Sequence, residues 1–161
     1  MTRAIYPGTF DPITYGHIDV ARRAASVFGS LVIVVMNNIQ KKYTFTMEER
    51  MSIISKIFHD ESCIQVDTHS GLLVDYVQTH QVDAVVRGLR AVSDFEFEMQ
   101  MAAANKQLCA KLDTFFLMTD TRYSFISSTL VKEIYYHGGN VDLWVPEIVK
   151  KNLGRKFSNQ K

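Results

Sequence analysis

Cysteine is nearly absent from this chain. The 161 residues hold two, Cys63 and Cys109, far apart and outside any Cys-x-x-Cys pair. Neither a disulfide framework nor a zinc site is supported, and a reducing compartment fits. Each cysteine sits in an apolar run, which predicts an inert, buried thiol. No apolar run exceeds six residues and no secretory leader opens the sequence. A membrane association is therefore not expected, and the expected location is cytoplasmic. Net charge is almost absent as well: 18 cations against 17 carboxylates leave +1. That argues against binding nucleic acid by electrostatics alone. Three prolines and eight glycines rule out a collagen-like chain, and 47% hydrophobic with 22% charged residues rules out disorder. The length suits one domain over residues 1–161, with a sizeable core.

The charge is unevenly placed. Residues 147–161 carry Lys150, Lys151, Arg155, Lys156 and Lys161 against Glu147, leaving the remainder at −3. A solvated basic terminus is the expectation.

Short apolar runs recur at Arg3–Tyr6, Leu31–Met36, Cys63–Val66, Ala84–Val86 and Thr114–Met118. Between them the period becomes helical. Ile18, Ala21, Ala25 and Phe28 share one face, with Gly29 as a stop. Thr46 with Glu49 forms a capping box before Met47, Ile53, Ile54 and Ile57, and Ser93 with Glu96 repeats the device. Ser127 or Ser128 caps a helix ending at Gly138-Gly139, and Pro146 opens a short last helix expected to stop near Gly154. The run Leu31–Met36 does not alternate, so both of its faces are covered. The pattern predicts an α/β, Rossmann-like, doubly wound fold: a five-stranded parallel sheet with helices on both faces. Ligands then belong beyond the carboxyl ends of the strands.

Four of those ends point to phosphate. After the first run, Gly8 permits close approach and Gly16-His17 falls at a helix N-terminus, where free N–H groups favour an anion. Lys41 and Lys42 follow the second run. Arg87-Gly88-Leu89-Arg90 follows the fourth, with guanidinium forks suited to an oligophosphate. Asp94 and Glu96 offer those arginines an alternative as ion-pair partners, and Glu98 can accept from a ribose or base. Three hydroxyls, Ser127, Ser128 and Thr129, open the helix after the fifth run, where capping alone needs one. Neither a GxGxxG fingerprint nor a Walker A loop occurs, and His69 and His80 lack a nucleophile partner. Phosphate grips without a protein nucleophile suit transfer between two bound phosphorylated substrates.

The stretch Gly8–His17 resembles the GxFDPxTxGH signature of the nucleotidyltransferase superfamily, with Thr14 where many members carry the first histidine. Ile126–Lys132 resembles its ISSTxVK/R signature. The segment Arg87–Gln100, with the threonine variant and the length, resembles the bacterial phosphopantetheine adenylyltransferases from about Arg3 to Pro146. That resemblance implies transfer of adenylyl from MgATP to 4′-phosphopantetheine, giving dephospho-coenzyme A and pyrophosphate, with Mg2+ required. It implies a homohexamer, feedback inhibition by coenzyme A, and neither nucleic-acid nor membrane partners. By position it assigns His17 to the transition state. It assigns Thr9, Phe10, His17, Gly88, Leu89, Arg90, Glu98, Tyr123, Ser124, Phe125, Ile126, Ser127, Ser128 and Thr129 to ATP. Thr9, Lys41, Leu73 and Arg87 fall to the acceptor. Tyr15, Phe97 and the Gln40–Tyr43 loop depart from the common pattern, leaving Lys41 and Lys42 as alternatives at the acceptor. Two other readings stay open: a different small-molecule nucleotidyltransferase, such as one acting on nicotinamide mononucleotide, and a non-catalytic adenine-nucleotide sensor.

Overall fold

Strands and helices alternate along the chain: β1 (Ala4–Gly8), α1 (Tyr15–Phe28), β2 (Leu31–Met36), α2 (Met47–Ile57), β3 (Ile64–His69) and α3 (Leu73–His80). A second half follows with β4 (Ala84–Leu89), α4 (Val92–Leu108), β5 (Asp113–Met118), α5 (Ser128–Tyr136) and α6 (Glu147–Ser158). The structure, a computed structural model, describes residues 2–90 and 92–158, with every side chain in them except those of Val92 and Ser93. All strand pairings are parallel, in the order β3-β2-β1-β4-β5. This is the expected Rossmann-like, doubly wound α/β architecture.

The sheet separates two apolar layers, which explains the unbroken run in β2. Leu31, Ile33 and Val35 join α1, α2, α5 and α6 through Ile18, Ile53, Val131 and Val149. Val34 faces the other way, with Ile5, Val85, Tyr76 and Val77. A strand buried on both faces has no polar side to show.

Local signals position the helices. Thr14 caps α1, and Gly29 ends it at φ +80, a conformation that glycine adopts without a Cβ clash. Thr46 and Glu49 complete the capping box of α2. Other expectations need correction. α4 starts at Val92, so Ser93 lies inside its first turn, and its side chain is outside the described residues. α6 does not stop at Gly154 but continues to Ser158. The glycine gives room to the Tyr135 hydroxyl, 3.1 Å from where a Cβ would stand, while Val149 and Leu153 are fully buried. Packing on the core outweighs the helix penalty of one glycine, about 1 kcal/mol. The basic segment is thus a docked helix. Lys150 pairs with Asp142 and Lys156 with Glu49, and Lys161 lies outside the described residues. Neither thiol is buried: Cys63 is exposed where the chain enters β3, and Cys109 is half-exposed just past α4. β4 also runs further than the apolar pattern suggested, because it pairs with β5 as far as Leu89–Met118. Arg87, Gly88 and Leu89 therefore belong to β4 itself, not to a loop after it. Among the described residues no helix is long and apolar enough to cross a membrane.

Candidate active site

The two central strands separate at their carboxyl ends. β1 and β4 pair only at Ala4–Ala84 and Ile5–Val85. β1 stays beside β2 as far as Gly8–Val35, and β4 beside β5 to its last residue. A crevice therefore opens between Tyr6-Pro7-Gly8 and Val86-Arg87-Gly88. It lies where the strand order reverses, the place at which open α/β sheets take ligands. Arg87 bridges it, donating from Nη1 to the Pro7 carbonyl.

The turn leaving β1 is shaped by Phe10. Its φ is +46, and its ring folds back over Gly8, where any Cβ would come within 2.7 Å of the ring. Only glycine fits beneath it. The same ring meets Tyr6 edge-on at 5.2 Å and His17 at 5.3 Å. Burial pushes the Tyr6 phenol up to about 12, so it stays neutral.

His17 is the third residue of α1 and closes its cap reciprocally. The Thr14 N–H donates to Nδ1 at 3.0 Å, and the His17 N–H donates to the Thr14 hydroxyl at 3.4 Å. Because Nδ1 accepts, the ring proton sits on Nε2. Burial, aided by the nearby Arg90, Arg87 and Lys41 charges, holds the imidazole down at about 3. The group is a neutral donor through Nε2, held by its own helix cap.

Arg90 pairs with Asp94 (Nε to Oδ2, 2.9 Å), not with Glu96, and donates to the Ile126 carbonyl at 2.8 Å. That contact draws the 123–127 loop to the crevice. Arg87 takes Glu98 as a two-pronged partner. Of the three hydroxyls opening α5, two are committed to structure. Ser127 caps the helix through the Leu130 N–H, and Ser128 donates to the Pro12 carbonyl at 2.7 Å. Thr129 is exposed, and the first-turn N–H groups of Ser128 and Thr129 precede the capped one.

The fold thus gathers Thr9, Phe10, His17, Arg87, Gly88, Leu89, Arg90 and Glu98, with Tyr123, Ser124, Phe125, Ile126, Ser127, Ser128 and Thr129, around the crevice. Lys41 and Leu73 come from other segments. Lys41 is exposed in the loop after β2, its charge near enough to act on His17, and the half-buried Leu73 begins α3, packed on the layer of Ile5, Val34 and Val85.

The family model described as Cytidylyltransferase-like matches residues 5–134, from β1 into α5. The chain belongs to this family. Its activity is nucleotidyl transfer, and the matched span contains both halves of the crevice.

Three side chains of this cytidylyltransferase-like site had no role assigned from sequence. Asp11, 4% exposed, accepts from the Thr44 and Phe45 N–H groups, each at 2.9 Å, and from Lys132 Nζ at 2.9 Å. It ties the β1 turn to the start of α2 and to α5. Arg50, 2% exposed, is the third. One signal for it was available: Arg50 interrupts the stripe Met47, Ile53, Ile54, Ile57 at a core position. A cation among apolar helix positions marks a buried polar network.

Proposed function

We propose that this nucleotidyltransferase moves the adenylyl group of MgATP to 4′-phosphopantetheine, releasing pyrophosphate and dephospho-coenzyme A. The supporting observation is the pair of arginines at one strand end, Arg87 and Arg90, facing the neutral His17 donor across the crevice. The sequence pattern from Arg87 to Gln100 supports the choice of acceptor. In this reading Arg87, Thr9 and Lys41 hold the acceptor phosphate, while Leu73 meets its far arm. Arg90, Glu98, the α1 and α5 N-termini and residues 123–129 hold ATP.

An acceptor oxygen attacks the α-phosphorus in line. The bond from that phosphorus to the α–β bridging oxygen breaks, and pyrophosphate leaves with the electron pair. The acceptor phosphate, with a second pKa near 6, is largely a dianion at neutral pH and needs no general base. His17 keeps its proton and donates from Nε2 to an α-phosphate oxygen, gaining strength as charge shifts there. Magnesium arrives with the nucleotide as part of the substrate, where it offsets phosphate charge. Among the described residues there is no group of three or more His, Cys, Asp or Glu placed to hold an ion.

The same reading carries a homohexamer, and coenzyme A as an inhibitor that occupies the acceptor side. Pyrophosphate release from ATP or CTP, with each acceptor in turn, tests it. Release with ATP that depends on 4′-phosphopantetheine is the expected result. Equal turnover with nicotinamide mononucleotide or an alcohol phosphate would replace it by the alternative nucleotidyltransferase reading.

A further inference from the structure

Arg50 is buried, and among the described residues none of its hydrogen-bond acceptors is a carboxylate. Nη1 donates to the Thr9 carbonyl at 2.7 Å and the Met36 carbonyl at 3.2 Å. Nε donates to the Phe45 and Thr46 carbonyls at 3.2 and 3.3 Å, and Nη2 to the Asn37 side-chain oxygen at 2.5 Å. The guanidinium lies over the Tyr43 ring at 4.4 Å. One side chain therefore fastens the exit of β1, the exit of β2 and the entry of α2. Burying a charge against neutral acceptors costs stability, so a packing role alone would be better served by an apolar residue.

The contact with Thr9 has a consequence one atom further on. The Thr9–Phe10 peptide is trans, so its C=O and N–H point in opposite directions. With the carbonyl turned to Arg50, the Phe10 N–H is turned away from it. Among the described residues no acceptor meets that N–H, and Phe10 itself is 3% exposed. A buried donor left without an acceptor is costly. Phe10 also holds φ +46, a conformation worth about 1–3 kcal/mol of strain for a bulky residue, which persists only when its surroundings dictate it. Arg50 dictates it from one side, and the seat of the ring between Tyr6, Gly8 and His17 from the other.

We infer that Arg50 is a positioning residue for the transfer: by holding the Thr9 carbonyl it aims the Phe10 N–H into the crevice as a donor to a phosphate oxygen of the bound nucleotide. The inference rests on the nucleotidyl-transfer reading for the identity of the anion. Its geometry, the turned peptide with an open N–H, does not depend on which acceptor is used.

The test uses the full chain labelled with 15N-phenylalanine, unvaried or carrying Arg50→Met or Arg50→Lys. In the unvaried protein the Phe10 amide is expected to shift downfield and gain exchange protection on adding pyrophosphate or MgATP. Arg50→Lys keeps the charge but offers one ammonium where three segments were held. Both variants are expected to lose the Phe10 response and to lower kcat by roughly 10–100-fold, the scale of a misplaced group, with the KM for ATP changing far less. If Arg50→Met does not fold, Arg50→Lys and the unvaried protein decide. A Phe10 amide that ignores both probes, or a folded variant that retains kcat and the Phe10 response, overturns the inference. Absence of transfer to any acceptor by the unvaried protein, with the Phe10 response intact, counts against the functional reading and not against this one.

Discussion

Arg87 and Glu98 hold each other along a full edge of the guanidinium, Nε to Oε2 at 2.7 Å and Nη2 to Oε1 at 2.5 Å. The pair is mostly shielded, with Glu98 only 12% and Arg87 30% exposed. It joins β4 to α4 at the mouth of the crevice, and in the proposed function one partner serves the acceptor and the other the nucleotide. Arg87→Ala is expected to weaken 4′-phosphopantetheine binding roughly ten- to a hundredfold, the worth of a charge-assisted hydrogen bond. ATP binding should fall less. Glu98→Gln and the double variant should give non-additive losses of about 0.5–3 kcal/mol, as residues in direct contact do. Titration calorimetry with each substrate checks this, and a larger loss for ATP than for the acceptor would reassign Arg87.

His17 donates from Nε2 because Thr14 occupies Nδ1. Loss of a single fixed donor at developing charge lowers turnover by roughly 10²–10³. His17→Ala is expected to show that loss at saturating substrates, with a much smaller change in ATP affinity, since Arg90, Glu98 and the α5 N-terminus remain. Near-normal turnover with a large loss of ATP affinity would make His17 a binding residue only.

The same imidazole makes a prediction about pH. Its folded pKa, about 3, lies below the usual 6.5, with burial as the main cause. Between those values the unfolded chain binds the proton and the folded chain does not. The contribution of His17 to stability is therefore complete above pH 6.5 and is lost progressively as pH falls from there toward 3. Chemical unfolding at pH 7 and pH 5 should show a drop that is smaller in His17→Ala. In the free enzyme, kcat/KM should carry no inflection from His17 between pH 5 and 8. An imidazole resonance of His17 titrating near 6.5 would contradict both statements.

Asp11 and Lys132 form a shielded pair, 5% and 21% exposed, in which Asp11 also takes two backbone N–H groups. Removing one partner of such a pair leaves the other charged and unmatched, at a cost of about 3–5 kcal/mol. Asp11→Ala is expected to lose that much in urea unfolding. Lys132→Met should lose less, because the carboxylate keeps its two backbone donors. The reverse order would mean that Lys132, not Asp11, organises the turn.

Apolar side chains stand exposed on α4 and β5: Phe95, Phe97, Met99 and Met101 on the helix, Phe115 and Met118 on the edge strand. Apolar side chains exposed in this number on a folded chain mark contact surface. The proposed homohexamer covers it, so light scattering is expected to give about six times the 18.4-kDa chain. Met101→Asp with Phe115→Glu should release smaller species. A stable 18.4-kDa monomer at micromolar concentration would contradict the assembly.

The parallel α/β sheet was legible in local sequence, and with it the expectation that ligands lie beyond the carboxyl ends of its strands. Hydrophobic period, capping boxes and turn residues are local, and Leu31–Met36, Thr14–His17 and Thr46–Glu49 each carry their instruction within a few residues. Which groups meet was settled by long-range packing. The capping box of α1 fixes the His17 tautomer, the parting of β1 from β4 after Ile5 opens the crevice, and Glu98 reaches back to Arg87 across a turn and more of helix. Sequence assigned no role to Arg50, Asp11 or Lys132, and it predicted a buried thiol at Cys63. Their environments depend on distant segments: Asp11 meets Thr44 and Lys132, and Arg50 meets Thr9. Burial and pairing depend on such long-range neighbours, and no local pattern encodes them.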